Sequence, residues 1–114
     1  MVMVIVTLLF ALLISHALFD FPLQGEATAI NKNPDANTEL QKHVPWYYWM
    51  ISHVLLHGGG VCLVTGSIAL GLAETVCHFF IDLGKCKNYF SIHQDQLLHF
   101  LCKVLWVGII LLSQ

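Results

Sequence analysis

The chain has 114 residues, enough for one domain, and is 57 % apolar but only 11 % charged, against about 45–50 % and about 25 % in soluble domains. With a mean hydropathy of +0.72, this composition predicts an integral membrane protein built of α-helices, which satisfy their own backbone groups inside lipid. The net charge is −2 and all five basic residues are lysines, so there is no basic patch for nucleic acid, and that class of partner is excluded.

The first apolar stretch, residues 2–20, is about as long as a spanning helix needs to be. It has no positively charged leader and no A-x-A cleavage pattern, which favours a retained transmembrane helix over a signal peptide. Phe21-Pro22 ends or bends it, because proline disfavours helix at the residue before it. Residues 22–43 then read as an interfacial segment: a short amphipathic helix over 22–32, and loop chemistry in "NKNPDANT", where Asn, Asp and Pro favour turns. Trp46, Tyr47, Tyr48 and Trp49 resemble the aromatic belt that marks a membrane–water boundary.

From 44 to 84 the apolar run suits two spanning helices with a tight turn between them. Two turn sites compete, Gly58-Gly59-Gly60 and Thr65-Gly66-Ser67. The second gives helices of similar length, 44–65 and 67–84, and leaves the three glycines free to let another backbone approach. A polar loop follows, and Ser91 with Gln94 three residues on fits a capping box that starts a fourth helix over 92–112. The expected fold is all-α membrane: a four-helix transmembrane bundle in a single domain, 1–114. Lys32 and Lys42 lie in one loop, Lys85 and Lys87 in the other. The positive-inside rule places both loops in the cytoplasm and both termini on the non-cytoplasmic side.

On that topology the polar residues form four lines at helical i, i+4 spacing. Helix one carries His16 and Asp20, with Gln24 beyond. The second carries His53 and His57, the third Glu74, His78 and Asp82, and the fourth Asp95, Gln96, His99 and Lys103. An ionisable residue at the bilayer centre costs ~2.5–3.5 kcal/mol on insertion scales. The four lines must therefore face one another, pair, or hold an ion.

Three readings fit this convergence: a hydrogen-bonded polar core that fixes helix packing, a metal site built from facing helices, and a proton or ion path. The candidate metal ligands are His16, Asp20, His57, His78, Asp82 and His99, and the expected cofactor is a divalent ion, zinc or manganese. His53 shares a face with His57 and is either a ligand or an interhelical hydrogen-bonding group. Glu74 is the candidate catalytic base, or the acceptor that orients a histidine. Asp95 also has the ordinary role of an acid in a first helical turn. Lys85 and Lys103 are candidates for an anionic headgroup, although lysines near helix ends also snorkel. Ser15 and Ser52 each precede a histidine, but adjacent residues on a helix do not face each other, so no nucleophile is assigned. The four cysteines show no C-x-x-C spacing and make neither a disulfide framework nor a zinc ribbon.

The order of these motifs, "H-x3-D-F-P-L-Q", then "N-K", "H-G", "E-x3-H-F-x-I-D-x2-K" and "D-Q-x2-H", resembles the domain-of-unknown-function family 3307 of small phage and bacterial membrane proteins. The matching positions are His16, Asp20, Phe21, Gln24, Lys32, His57, His78, Asp82, Lys85, Asp95, Gln96 and His99. The longer hydrophilic stretch over 33–43 departs from the compact loop of that family. The resemblance implies a small helical membrane protein, often phage-borne and situated in the bacterial inner membrane, and implies no activity. Two functions are thus expected as alternatives. One is a metal-binding protein that hydrolyses a lipid-linked or phosphorylated substrate at the inner leaflet. The other is a non-enzymatic phage membrane factor that binds and modulates a host membrane protein, alone or as an oligomer.

Overall fold

A computed structural model describes residues 1–114. It is all-helical, with six helices and no strands: α1 (Val2–Asp20), α2 (Gly25–Asn31), α3 (Glu39–His43), α4 (Trp46–Thr65), α5 (Ile68–Cys86) and α6 (Ile92–Leu112). The four long helices close a ring, α1 against α4 and α6, and α5 against α4 and α6. The molecule is elongated, 51 × 25 × 22 Å.

Local chemistry sets the helix ends. α4 runs unbroken through Gly58-Gly59-Gly60 and stops at Gly66, whose φ of 71° is left-handed, a conformation that glycine adopts without a Cβ clash. Ser67 caps α5 by accepting from the Leu70 amide. Ser91 and Gln94 form the capping box of α6, and Thr38 and Gln41 form a second one that starts α3. Gly58 and Gly60 are contact points. A Cβ on Gly58 would collide with Thr75 and the Gly71 carbonyl of α5, and one on Gly60 with Ser15 and Phe19 of α1, whereas Gly59 faces open space.

The interior is inverted relative to a soluble domain. Twelve buried residues are polar or charged and only seven are hydrophobic. The small apolar cluster of Leu12, Val61, Leu70, Trp106 and Val107 holds the end of the ring that bears the termini. Meanwhile Phe10, Leu63, Phe80 and Leu101 are exposed. A polar interior with an apolar exterior is stable only where the surroundings are apolar.

Three helices, α1, α4 and α6, are long and apolar enough to cross a membrane, which corrects the expectation of four. α5 is long enough at 19 residues, but Glu74, Asp82 and Lys85 put three charges into it. Its exposed face is Ile68, Leu72, Val76 and Phe80, and its buried face is Leu70, Glu74, His78 and Asp82. α5 is thus amphipathic, with its charges turned into the ring.

The interfacial segment also does more than was expected of it. α2 packs on α4, and Lys32, just beyond its end, is 2 % exposed. Lys87 in the α5–α6 loop lies 3.2 Å from Asp35, so the two lysine-bearing loops meet at one end of the molecule.

Candidate metal centre

The line Leu12, His16, Asp20 is the buried stripe of α1. Asp20, at the last residue of the helix, becomes the hub of the interior. Its Oδ1 lies 3.0 Å from His57 Nε2, 3.3 Å from His53 Nε2 and 3.5 Å from His78 Nε2. Its Oδ2 accepts from Gln96 Nε2 at 2.7 Å and sits 3.4 Å from His16 Nε2. α4 supplies His53 and His57 one turn apart, and α5 brings His78 onto His57 with the rings stacked at 3.7 Å. His99 of α6 stacks on the other face of His78 at 4.0 Å.

Four residues, Asp20, His53, His57 and His78, each place a ligand atom within 4.8 Å of the others, and all four are buried. The Nε2 atoms of His53, His57 and His78 have no hydrogen-bond partner, although all three crowd one carboxylate oxygen. Buried nitrogens left this way cost about 1–3 kcal/mol each. The spacing fits another arrangement. Four ligand atoms ~2.05 Å from a central ion at tetrahedral angles lie about 3.3 Å apart. The three nitrogen–oxygen separations bracket that value.

The remaining charged groups hold this centre from outside. His78 Nδ1 faces Glu74 Oε1 at 3.4 Å. Glu74 in turn accepts from Lys103 Nζ at 2.5 Å and from Trp106 Nε1 at 2.6 Å, so both its oxygens are engaged. Asp82 lies outside the metal-type groupings and accepts from Lys32 Nζ at 2.5 Å, with His53 Nε2 at 3.3 Å. Lys32 also donates to Gln24 Oε1 at 2.5 Å. His16 and His99 take part in two further groupings, His16–His78–His99 and Asp20–Asp95–His99. The candidate ligands and the candidate base are thus all buried together, His16, Asp20, His57, Glu74, His78, Asp82 and His99, whereas Lys85 is only half-buried, 3.9 Å from Asp82 Oδ1.

Charge makes the cluster incomplete. Four carboxylates are buried, Asp20, Glu74, Asp82 and Asp95, against two ammonium groups, Lys32 and Lys103. Lys103 is matched to Glu74 and Lys32 to Asp82. Asp20 and Asp95 have no buried lysine beside them; the groups around them are the imidazoles of His16, His53, His57, His78 and His99, and isolated carboxylates do not keep their charge away from water without a cation or proton to balance it.

Three participants had weak signals in the sequence. Lys32 looked like a loop lysine, and its contact with Asp82 spans 50 positions. Trp106 lies three residues after Lys103, on the same stripe. Lys103 is not free for a headgroup, being buried against Glu74.

A family model described as a protein of unknown function, DUF3307, matches residues 8–114, nearly the whole chain. The chain belongs to the DUF3307 family. The match takes in all four helices that build the centre. No curated protein and no solved structure matches the chain.

Proposed function

We propose that this DUF3307 protein is an integral membrane protein that binds one divalent metal ion through His53, His57, His78 and Asp20. The observation that carries the proposal is the trio of partnerless Nε2 atoms around Asp20 Oδ1. In a polar core held together by hydrogen bonds alone, those nitrogens would donate or accept; here all three are left over. Three imidazoles and one carboxylate suit zinc better than manganese, which favours octahedral oxygen ligands. His78 is oriented by Glu74, which Lys103 and Trp106 hold in turn, the carboxylate–histidine–metal relay that sets ring tautomer and basicity. Asp82 acts in the same outer layer through Lys32.

The geometry supports metal binding over hydrolysis. Four protein ligands close a zinc site, whereas catalysis keeps one position open. Glu74 has both oxygens engaged and does not serve as a base. The four cavities are lined by other residues, one of them along Gly58, Gly71 and Thr75 on the α4–α5 hairpin.

In the membrane, α1, α4 and α6 span, and α5 packs among them with its carboxylates facing the ring and its apolar face outward. The paired loops, carrying Lys32, Lys42, Lys85 and Lys87, lie in the cytoplasm, and both termini lie outside. The resemblance to phage and bacterial membrane proteins supports a location in the bacterial inner membrane.

Metal analysis of protein purified in detergent tests the proposal. Wild type should purify with one zinc per chain, and His57→Ala and His78→Ala should purify without it while His43→Ala keeps it. Metal-free wild type carrying a co-purified host membrane protein would instead favour the modulating factor.

A further inference from the structure

Asp20 has two oxygens, and only one faces the three imidazoles. The other faces the α1–α6 seam, where Asp20, Asp95 and His99 again bring one ligand atom each within 4.8 Å of one another. Asp95 Oδ1 stands 3.5 Å from His99 Nε2 without a hydrogen bond, and Asp95 Oδ1 and His99 Nδ1 are both without partners. Their side chains are 2 % and 1 % exposed. Helix capping does not account for Asp95, because Ser91 and Gln94 already cap α6.

Two ions do not fit both positions at once. One divalent ion already balances Asp20 and Asp95, and a second would leave two positive charges buried. The exposed edge of the cluster lies at His16 and Asp20, 8 % and 9 % exposed, while the other ligands of both positions, His53, His57, His78, Asp95 and His99, are all at or below 2 %. Half-buried Gln96 covers this edge, donating to both Asp20 Oδ2 and Asp95 Oδ2. On the opposite side Lys32 plugs the cluster between Gln24 and Asp82.

We propose that Asp95, His99 and the outer oxygen of Asp20 form an entry position through which a single metal ion reaches the three-histidine site, with Asp20 as the ligand common to both. This rests on the metal centre proposed above. The ion enters at the α1–α6 seam as the Gln96 amide turns aside. It binds the carboxylate-rich position first and then passes along Asp20 to His53, His57 and His78. Oxygen ligands at the mouth hold it weakly, and imidazoles inside hold it firmly.

The test is stopped-flow zinc loading and release to a chelator, with purified protein in detergent and zinc alone as the probe. His99→Phe preserves the stacking on His78 and the charge, and removes one ligand from the entry position only. It should slow loading and release alike, each by about tenfold or more, since losing about 1.4 kcal/mol of stabilisation at a step that entry and exit share slows both tenfold. The dissociation constant should stay within about threefold, because the final site is untouched. Asp95→Asn should slow loading by at least about tenfold as well, and should weaken affinity because a balancing charge is lost. Both variants should still bind one zinc per chain. Unchanged rates in both variants would overturn the entry position while leaving the three-histidine site standing. So would a His99→Phe protein that released zinc faster at unchanged loading, which would make His99 a resident ligand. Two zinc ions in wild type would overturn the single shared ion. If wild type binds no zinc, the metal centre itself falls and the entry position falls with it.

Discussion

Replacing Lys103 by methionine removes the only ammonium group beside Glu74. The pair is 2.5 Å apart with both side chains 1 % exposed, so the carboxylate cannot be rescued by water. Breaking a buried pair by deleting one partner costs about 3–5 kcal/mol. Glu74 keeps the Trp106 indole N–H at 2.6 Å, a charge-assisted bond worth about 1.5–3 kcal/mol. That places Lys103→Met near the lower end, at about 3 kcal/mol. The double variant Glu74→Gln with Lys103→Met buries no charge, and should recover about 2 kcal/mol of the loss. The assay is reversible unfolding by SDS in mixed micelles, followed by tryptophan fluorescence, with the four proteins arranged as a double-mutant cycle. A Lys103→Met cost below about 1 kcal/mol, or additivity across the cycle, would refute a buried and mutually dependent pair.

Other consequences can be measured on the same material. Gly58→Ala should cost about 1–3 kcal/mol through overpacking against Thr75 and Gly71, while Gly59→Ala, facing open space, should stay within about 0.5 kcal/mol; the same unfolding assay reads both. Lys32→Met should destabilise by about 3–5 kcal/mol by stranding Asp82, and Lys32→Met with Asp82→Asn should recover most of it. Removing zinc with a chelator should lower stability by about 4 kcal/mol relative to protein held at a thousandfold excess of zinc over its dissociation constant. Single cysteines placed at Asn37 and Lys87, in a background without native cysteines, should label from the cytoplasmic side, and one at Gln114 from the other side. Labelling of 37 and 87 from opposite sides would contradict the shared loop end.

Much of this arrangement is written in local sequence. The i, i+4 lines are legible because helix geometry alone puts His16 with Asp20, and Glu74 with His78 and Asp82, on one stripe. The turn at Thr65-Gly66-Ser67 is legible for a similar reason: glycine at a left-handed position and serine at an N-cap are local signals. The Thr38 and Gln41 box obeys the same pattern as Ser91 and Gln94, and marks α3 just as plainly. Partnerships across the ring are another matter. No local pattern links Lys32 to Asp82, and nothing in the spacing decides that Asp82 takes an ammonium while Asp20 takes the imidazoles. His53 and His57 share a face in sequence, and only the position of α1 against α4 makes both of them neighbours of one carboxylate. α5 falls below the other three long helices in apolarity for a physical reason. Its outward face has the character of a span, but the inward charges lower its average, and an average cannot tell which way a residue points.

X-ray absorption at the zinc edge, on protein loaded with one equivalent of zinc in detergent, tests the metal centre most directly. The proposed zinc site predicts a four-coordinate first shell at ~2.0–2.1 Å of nitrogen and oxygen without sulfur, with outer-shell scattering from three imidazole rings that falls to two in His57→Ala protein reloaded at high zinc. A six-coordinate shell of water oxygens, or a wild-type spectrum with fewer than three imidazoles, would contradict it.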